Sequence, residues 1–423
     1  MRRLLAFACA LALLGASPLP VARALPADAR AALDRLVRGG IRDGILPGGV
    51  LVVTSSNGTL YRKAYGVRTL EPRPVPNDPS TLYEFASATK PLATATAIML
   101  LVQDGHLRLG DRVSAFIPEY AQNGKHDVTI LQLLTHTSGM QIDYVRSDYH
   151  SDAATILAHT YAGGLRFAPG TKFEYSDLGF IILADVVTHV SGMPFERFVQ
   201  ERILRPLGLR DAFFDTTIDA AHAARHAPQM RNESVEALRD AHGTVPGVNG
   251  HAGLIATADD VAALARAFLN AARGVAVPGF ALTPATVRAM TEPRYVGAGQ
   301  IRGLGWDLDS AYSRNRGEIF ARGGFGHTGS SGTSVWIDPA YDVAVVFASN
   351  AHYPDDKGTT LYLEAMLDTV VAAHLLLTGA GGGDPFDAAR EQSARFSADA
   401  ARSALAFPAT PGPAPTPRPV ATP

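Results

Sequence analysis

Ser87-Ala88-Thr89-Lys90 holds the residues best suited to chemistry in this chain. Positions i and i+3 of a helix share a face. The spacing therefore brings an amine within reach of a hydroxyl, the minimum needed to activate a weak nucleophile. Pro91 is tolerated only in the first turn of a helix, so the pattern predicts a helix opening near Ser87 and running to Gly105. Ser87 then lies at the positive end of the helix dipole, with its backbone N–H turned toward any anion bound there. A serine N-cap followed by a surface lysine gives the same tetrapeptide, so the pair alone does not establish catalysis.

Two later motifs change the balance. Tyr175-Ser176-Asp177 follows Phe173-Glu174 and precedes an apolar run from Gly179 to Ala184. His327-Thr328-Gly329-Ser330 lies between a Gly-rich segment and the strand-like Thr333–Ile337. Ser-x-x-Lys, Tyr-Ser-x and His-Thr-Gly in this order resemble the penicillin-recognising serine hydrolases: class C β-lactamases, D-alanyl-D-alanine carboxypeptidases and related carboxylesterases. Leu133–Gly139, Gly250–Leu254, Gly303–Trp306 and Trp336–Pro339 add to the likeness, which covers roughly residues 26 to 378.

The resemblance implies an acyl transfer in which Ser87 is the nucleophile and Lys90 and Tyr175 shuttle its proton. The backbone N–H groups of Ser87 and Ser330 would hold the oxyanion, with His327, Thr328 and Gly329 forming the substrate-binding strand. Burial would let Lys90 lose its proton near neutral pH. His327 stands where β-lactamases carry lysine, so the expectation is an imidazolium that binds anionic substrate and fades as pH rises. Asp177 departs from the asparagine of most relatives. Ionised Asp accepts hydrogen bonds but cannot donate to a substrate amide, which favours esters over peptides or β-lactams. His136 and His251 read as core or turn residues, Trp306 as a core aromatic, and Glu174 as a solvated neighbour of Tyr175.

Other chemistries find little support. No Gly-x-Ser-x-Gly elbow or His-Glu-x-x-His zinc motif occurs. Gly297-Ala298-Gly299 opens like a dinucleotide loop, but Arg302 takes the place of the third glycine. No cofactor or metal is expected. The single cysteine, Cys9, falls in the N-terminal apolar stretch. Residues 1–24 read as a secretory signal peptide: Arg2-Arg3, an apolar run from Leu4 to Gly15, and Ala22-Arg23-Ala24 as the cleavage site. A cysteine-free mature chain excludes disulfides and thiol catalysis. Removal of the leader leaves 35 basic and 40 acidic residues without a basic block, so neither nucleic acid nor an anionic membrane is an expected partner. No membrane span should remain after cleavage. The expected location is periplasmic or secreted, and the expected substrate a small molecule or a peptidoglycan fragment.

Positioning the site needs an α+β fold. Helical spacing over 27–44 is followed by two strands joined by Asn57-Gly58, a strong hairpin signal. A mainly helical stretch from Ser87 to about Asp240 precedes further strands and a helix over 359–377. The resemblance implies an antiparallel sheet flanked by terminal helices, with an inserted helical region. The corresponding division is 25–86 with 246–378 as the sheet domain and 87–245 as the helical domain, followed by 379–423 as an extra helix and a Pro-rich disordered tail. The leading functional expectation is a carboxypeptidase- or β-lactamase-like serine hydrolase. A carboxylesterase and a non-catalytic cell-wall binding protein are the alternatives.

Overall fold

The computed structural model describes residues 24–143, 151–214, 220–230, 249–311, 314–355, 359–376 and 387–406. The expected leader (Ala24 excepted) and the Pro-rich tail lie outside the described residues. The described residues form twelve strands: β1 Gly48–Ser55, β2 Gly58–Thr69, β3 Val75–Pro76, β4 Leu82–Glu84, β5 Ala212–Phe214, β6 Leu254–Thr257, β7 Arg294–Tyr295, β8 Ile301–Arg302, β9 Asp307–Asp309, β10 Phe325–Gly329, β11 Thr333–Asp338 and β12 Val343–Ser349. Nine of them make one antiparallel sheet in the order β3-β2-β1-β12-β11-β10-β9-β8-β7, and β4-β6-β5 make a second. The Asn57-Gly58 turn closes the β1–β2 hairpin, and β12 inserts beside β1 with Gly49 opposite Ser349 and Thr54 opposite Ala344.

Side chains alternate across a strand, and here both faces are covered. Val50 and Val52 of β1 join Val335, Ile337 and Val346 in a core beneath the helical region. Leu51 and Val53 point the other way, with Trp336, Val345 and Phe347, into a second core. That second core is closed by the helices Ala27–Arg42 and Leu361–Leu376, which contribute Leu33, Val37 and Leu367. Burial on both faces explains why β1 and β12 read as continuous apolar runs. Between the sheets' contributions the chain is mainly helical, including Asp177–Ser191, whose buried run from Leu178 to Ala184 supplies much of the first core. Among the described residues no single helix is long and apolar enough to cross a membrane. A last helix spans Asp387–Ala406, and its Gln392 and Ser403 bond to Asp338 and to the Tyr295 N–H.

The helix expected to open at Ser87 is built differently. Ala86–Ala88 forms a 3₁₀ turn, Lys90–Ala95 a wide π turn, and regular α-helix begins only at Thr96 and ends at Gln103. Pro91 has no N–H to give the regular ladder, and the Thr96 hydroxyl donates to the Pro91 carbonyl five residues back at 2.8 Å. Wide turns of this kind recur at functional sites.

The Leu361–Leu376 helix also buries two acids. Glu364 accepts from the Thr360 hydroxyl at 2.6 Å, and burial pushes its carboxyl up to about 8. Burial, then the neighbouring Glu364, pushes Asp368 up as well. An acid with a raised folded value keeps its proton in the native state after the unfolded chain has lost it. Stability therefore falls as pH rises from about 4.5 to about 8 and levels off above. Glu364→Gln should remove its share of that slope. Chemical denaturation should find the variant more stable than the parent at pH 8, by on the order of 2 kcal/mol relative to their difference at pH 5.

Candidate active site

The motifs converge on the Lys90 ammonium. Lys90 is fully buried, and its Nζ donates to Ser87 Oγ at 3.0 Å and to the His251 carbonyl at 2.8 Å. It lies 2.5 Å from Asp177 Oδ1 and 4.8 Å from the centre of the Tyr175 ring. The Tyr175 hydroxyl is hydrogen-bonded to both Lys90 and Ser87. Hydroxyl, amine and phenol thus form one connected cluster.

Each member is held by its own segment. The Ser87 turn follows Ala86, which adopts a left-handed backbone with φ 41°. Such strain costs on the order of 1–3 kcal/mol and persists where surroundings enforce it. Here β6 enforces it: Phe85 N–H donates to the Leu254 carbonyl at 2.8 Å, and Leu254 N–H to Thr89 Oγ1 at 3.1 Å. Gly329 brings β10 against this turn. A Cβ there would stand 2.5 Å from the Phe85 carbonyl oxygen and 2.3 Å from Thr333 Oγ1, so no side chain fits. Gly250, at φ 109°, does the same for the His251 carbonyl: a Cβ would fall 2.6 Å from the Phe180 carbonyl oxygen. Ser176 caps the helix that begins at Asp177 by accepting from Gly179 N–H at 3.1 Å, and its own hydroxyl donates to the Gln141 carbonyl at 2.5 Å.

His136 holds the Tyr175 segment from three sides. Its carbonyl accepts from Glu174 N–H at 2.9 Å, its Nδ1 accepts from Ser176 N–H at 3.0 Å, and its ring stacks on Tyr175 at 4.4 Å between centroids. The contacts from both its carbonyl and its ring come with a left-handed backbone, φ 57°. An acceptor Nδ1 requires a neutral ring. Burial, then Arg302, Lys90 and His327, hold His136 well below the usual histidine range.

Two expectations about charge are overturned. Burial alone would pull Lys90 down, but Asp177 and Tyr175 outweigh it and hold the amine above its ordinary value. Lys90 rests as an ammonium. Tyr175 rests as a phenol, raised by burial despite the Lys90 charge. His327 is not an imidazolium near neutral pH either. Burial, then the Arg302 and Lys90 charges, drive it well below the usual range, and its Nδ1 meets the Thr328 carbonyl at 2.7 Å. Its place beside two fixed cations makes a third costly.

The remaining expected residues take clear places. Thr328 and Gly329 end β10, with His327 opposite Val335 and Thr328 opposite Ser334, and Ser330 is exposed in the turn that follows. Trp306 is a buried core aromatic. Glu174 pairs with Arg166 at 2.6 Å. Sequence reasoning missed Arg302, buried on β8, ion-paired to Asp307 and 5.3 Å from the Phe173 ring. It also missed the His251 carbonyl and the clamp at His136; the left-handed backbone of His136 carries no sequence signal.

The Beta-lactamase family model matches residues 33–367. A relative from Escherichia coli K12, provisionally named a D-alanyl-D-alanine carboxypeptidase, is 30% identical over 339 residues, covering 71% of this chain and 77% of its own. A penicillin-binding protein homologue from Caulobacter crescentus superposes with a TM-score of 0.67 at 24% identity, covering 83% of this chain and 98% of that one. A family VIII carboxylesterase does so with a TM-score of 0.64 at 21% identity, covering 82% and 98%. The chain belongs to the Beta-lactamase family, a family of hydrolases.

Two outcomes follow for the histidines. A ring that stays neutral leaves the KM of a carboxylate-bearing substrate flat from roughly pH 6 to 8. A rise in KM across that window, abolished by His327→Lys, would restore the imidazolium. His136→Phe keeps the stacking but strands the Ser176 N–H, a loss of about 1–3 kcal/mol of stability. Because Tyr175 is then held less firmly, kcat should fall about tenfold or more with KM nearly unchanged. His136→Asn, which retains an acceptor, should recover part of the lost stability.

Proposed function

We propose that this chain is a secreted serine hydrolase working through an acyl-enzyme on Ser87. The carrying observation is the cluster in which Lys90 Nζ meets Ser87 Oγ at 3.0 Å and Tyr175 bonds to both. Ser87 Oγ attacks a carbonyl carbon, and its proton enters the Lys90–Tyr175 unit. The Ser87 and Ser330 N–H groups receive the developing oxyanion, each worth about 10²–10³ in rate by comparison with other acyl-transfer sites. Tyr175 then hands a proton to the leaving group, and water releases the acyl chain. No metal or cofactor has a part in this scheme. The leader-like residues 1–24 support a periplasmic or secreted location.

The relatives' names favour a D-alanyl-D-alanine carboxypeptidase acting on a peptidoglycan-derived substrate. The charge layout favours a carboxylesterase. A carboxypeptidase must recognise a terminal carboxylate, yet His327 is neutral and neither Lys90 nor Arg302 presents a solvent-facing cation, each being buried against its own carboxylate. Esters make no such demand, nor do they need an amide donor at Asp177. We therefore place small neutral esters first and the carboxypeptidase reading second.

A fluorophosphonate should leave one adduct on Ser87, lost in Ser87→Ala; labelling that survives the substitution refutes the assignment. Turnover of a short p-nitrophenyl ester should exceed that of a chromogenic cephalosporin and of a D-alanyl-D-alanine peptide at equal enzyme. Faster peptide cleavage would move the carboxypeptidase to first place, and adduct formation without any turnover would point to a binding protein. Lys90→Ala and Tyr175→Phe should each cost about 10³ or more, with the double variant little worse, because residues that act as one unit are not additive.

A further inference from the structure

Lys90 Nζ donates to the His251 carbonyl at 2.8 Å and to Ser87 Oγ at 3.0 Å, bonds to the Tyr175 hydroxyl, and pairs with Asp177 Oδ1 at 2.5 Å. An ammonium has three N–H donors and no lone pair. With no lone pair, the resting Lys90 can donate to Ser87 but cannot take its proton. Of its neighbours, the His251 carbonyl cannot hold a proton, Ser87 is the group to be deprotonated, and the Tyr175 phenol already carries its own. Only Asp177 can relieve Lys90 of one. We infer that Asp177 is the proton partner of Lys90, so that the base is the Lys90–Asp177 pair holding one proton between them.

The inference rests on the serine-hydrolase reading and balances as follows. One Nζ–H proton passes to Asp177 Oδ1, leaving a neutral amine and a neutral carboxyl. The freed lone pair takes the Ser87 hydroxyl proton as Oγ bonds to the acyl carbon, while the carbonyl π pair moves to the oxyanion. On collapse the leaving group takes the Tyr175 proton. Tyr175 is refilled from the Lys90 ammonium, and the carboxyl proton returns to Nζ. The pair is net neutral before and after the first transfer, and no proton is lost to solvent. Asp177 touches no reacting atom and acts through Lys90, so it is a positioning residue. It keeps 22% of its side chain exposed, against none for Lys90, and solvent can therefore reach the pair from the Asp177 side.

The alternative is that Asp177 only anchors the ammonium and Lys90 must release its proton to water. The two schemes move the pH profile in opposite directions. The other titratable groups around the pair are Tyr175, His136 and His327, and Arg302 acts on both imidazoles. Proton sharing puts the active form of the wild type at one proton on the pair, and its acid limb reports uptake of a second. Without Asp177, the active form requires a Lys90 that has lost its proton to solvent.

The test measures the second-order rate of Ser87 labelling by an uncharged fluorophosphonate from about pH 5 to 10. The wild-type acid limb should lie below about pH 6. In Asp177→Asn it should move up by about two units or more, with labelling recovered near pH 9.5 as proof that the variant is folded. Asp177→Glu should return the limb toward the wild-type position. A limb that stays in place or moves down in Asp177→Asn overturns the proton-sharing pair and leaves the hydrolase reading intact. Absence of any Ser87 labelling in the wild type overturns both.

Discussion

A lysine ammonium with no exposed surface is the constraint on which the rest of this structure depends. Removing such a charge from water costs several kcal/mol even after relaxation, and the cost is offset only where acceptors are already in place. Those acceptors come from distant parts of the chain: Ser87 one turn away, Asp177 at the head of the Asp177–Ser191 helix, and the His251 carbonyl on the approach to β6. No local segment can supply them together. The helical region and the sheet must therefore dock as they do, and the Gly250 and Gly329 approaches are the points at which any side chain would hold them apart.

The same charge governs its surroundings. Burial first, then Arg302 and this charge, keep both His136 and His327 neutral. For His136 that neutrality is structural, because its Nδ1 must accept the Ser176 N–H and its ring must lie flat on Tyr175. The two cations thereby favour the neutral ring that the Ser176 N–H and Tyr175 require. Arg302 is held in turn by Asp307 across the β8–β9 pairing and by the Phe173 ring. One chain of contacts thus joins β8 and β9 to the Lys90 cluster.

What was legible in the sequence was whatever is encoded locally or carried by motif. The apolar runs of β1 and β12, the Asn57-Gly58 hairpin and the terminal helices needed only periodicity and turn chemistry. Ser87, Lys90, Tyr175 and the His327 strand were marked by spacing and order. The second sheet was largely hidden, since β4 and β5 are three residues each and exist only because β6 pairs with both. The π turn at Lys90 is not legible, because Pro91 in a sequence marks a helix start as readily as a missing donor inside a continuing coil. The protonation of Lys90 and His327 is hidden for one reason: burial can be guessed from composition, but the shift also depends on which charge lies within a few ångströms. Spacing does not reveal that Asp177 stands 2.5 Å from Lys90 or that Arg302 neighbours both imidazoles.

Asp177 is where these arguments meet. As first residue of its helix it sits in the positive field of the helix N-terminus, worth about 0.3–1 kcal/mol to an anion. That field favours the ion pair at rest. It is small against the several kcal/mol that buried charges cost, and a proton moved over a 2.5 Å contact exchanges an ion pair for two neutral groups without separating charge. An asparagine at this position would leave Lys90 either as an ammonium without its counter-ion or as an amine that had already given its proton to water. The carboxylate keeps the lysine buried, charged at rest and able to shed that charge locally, which a neutral amide cannot do.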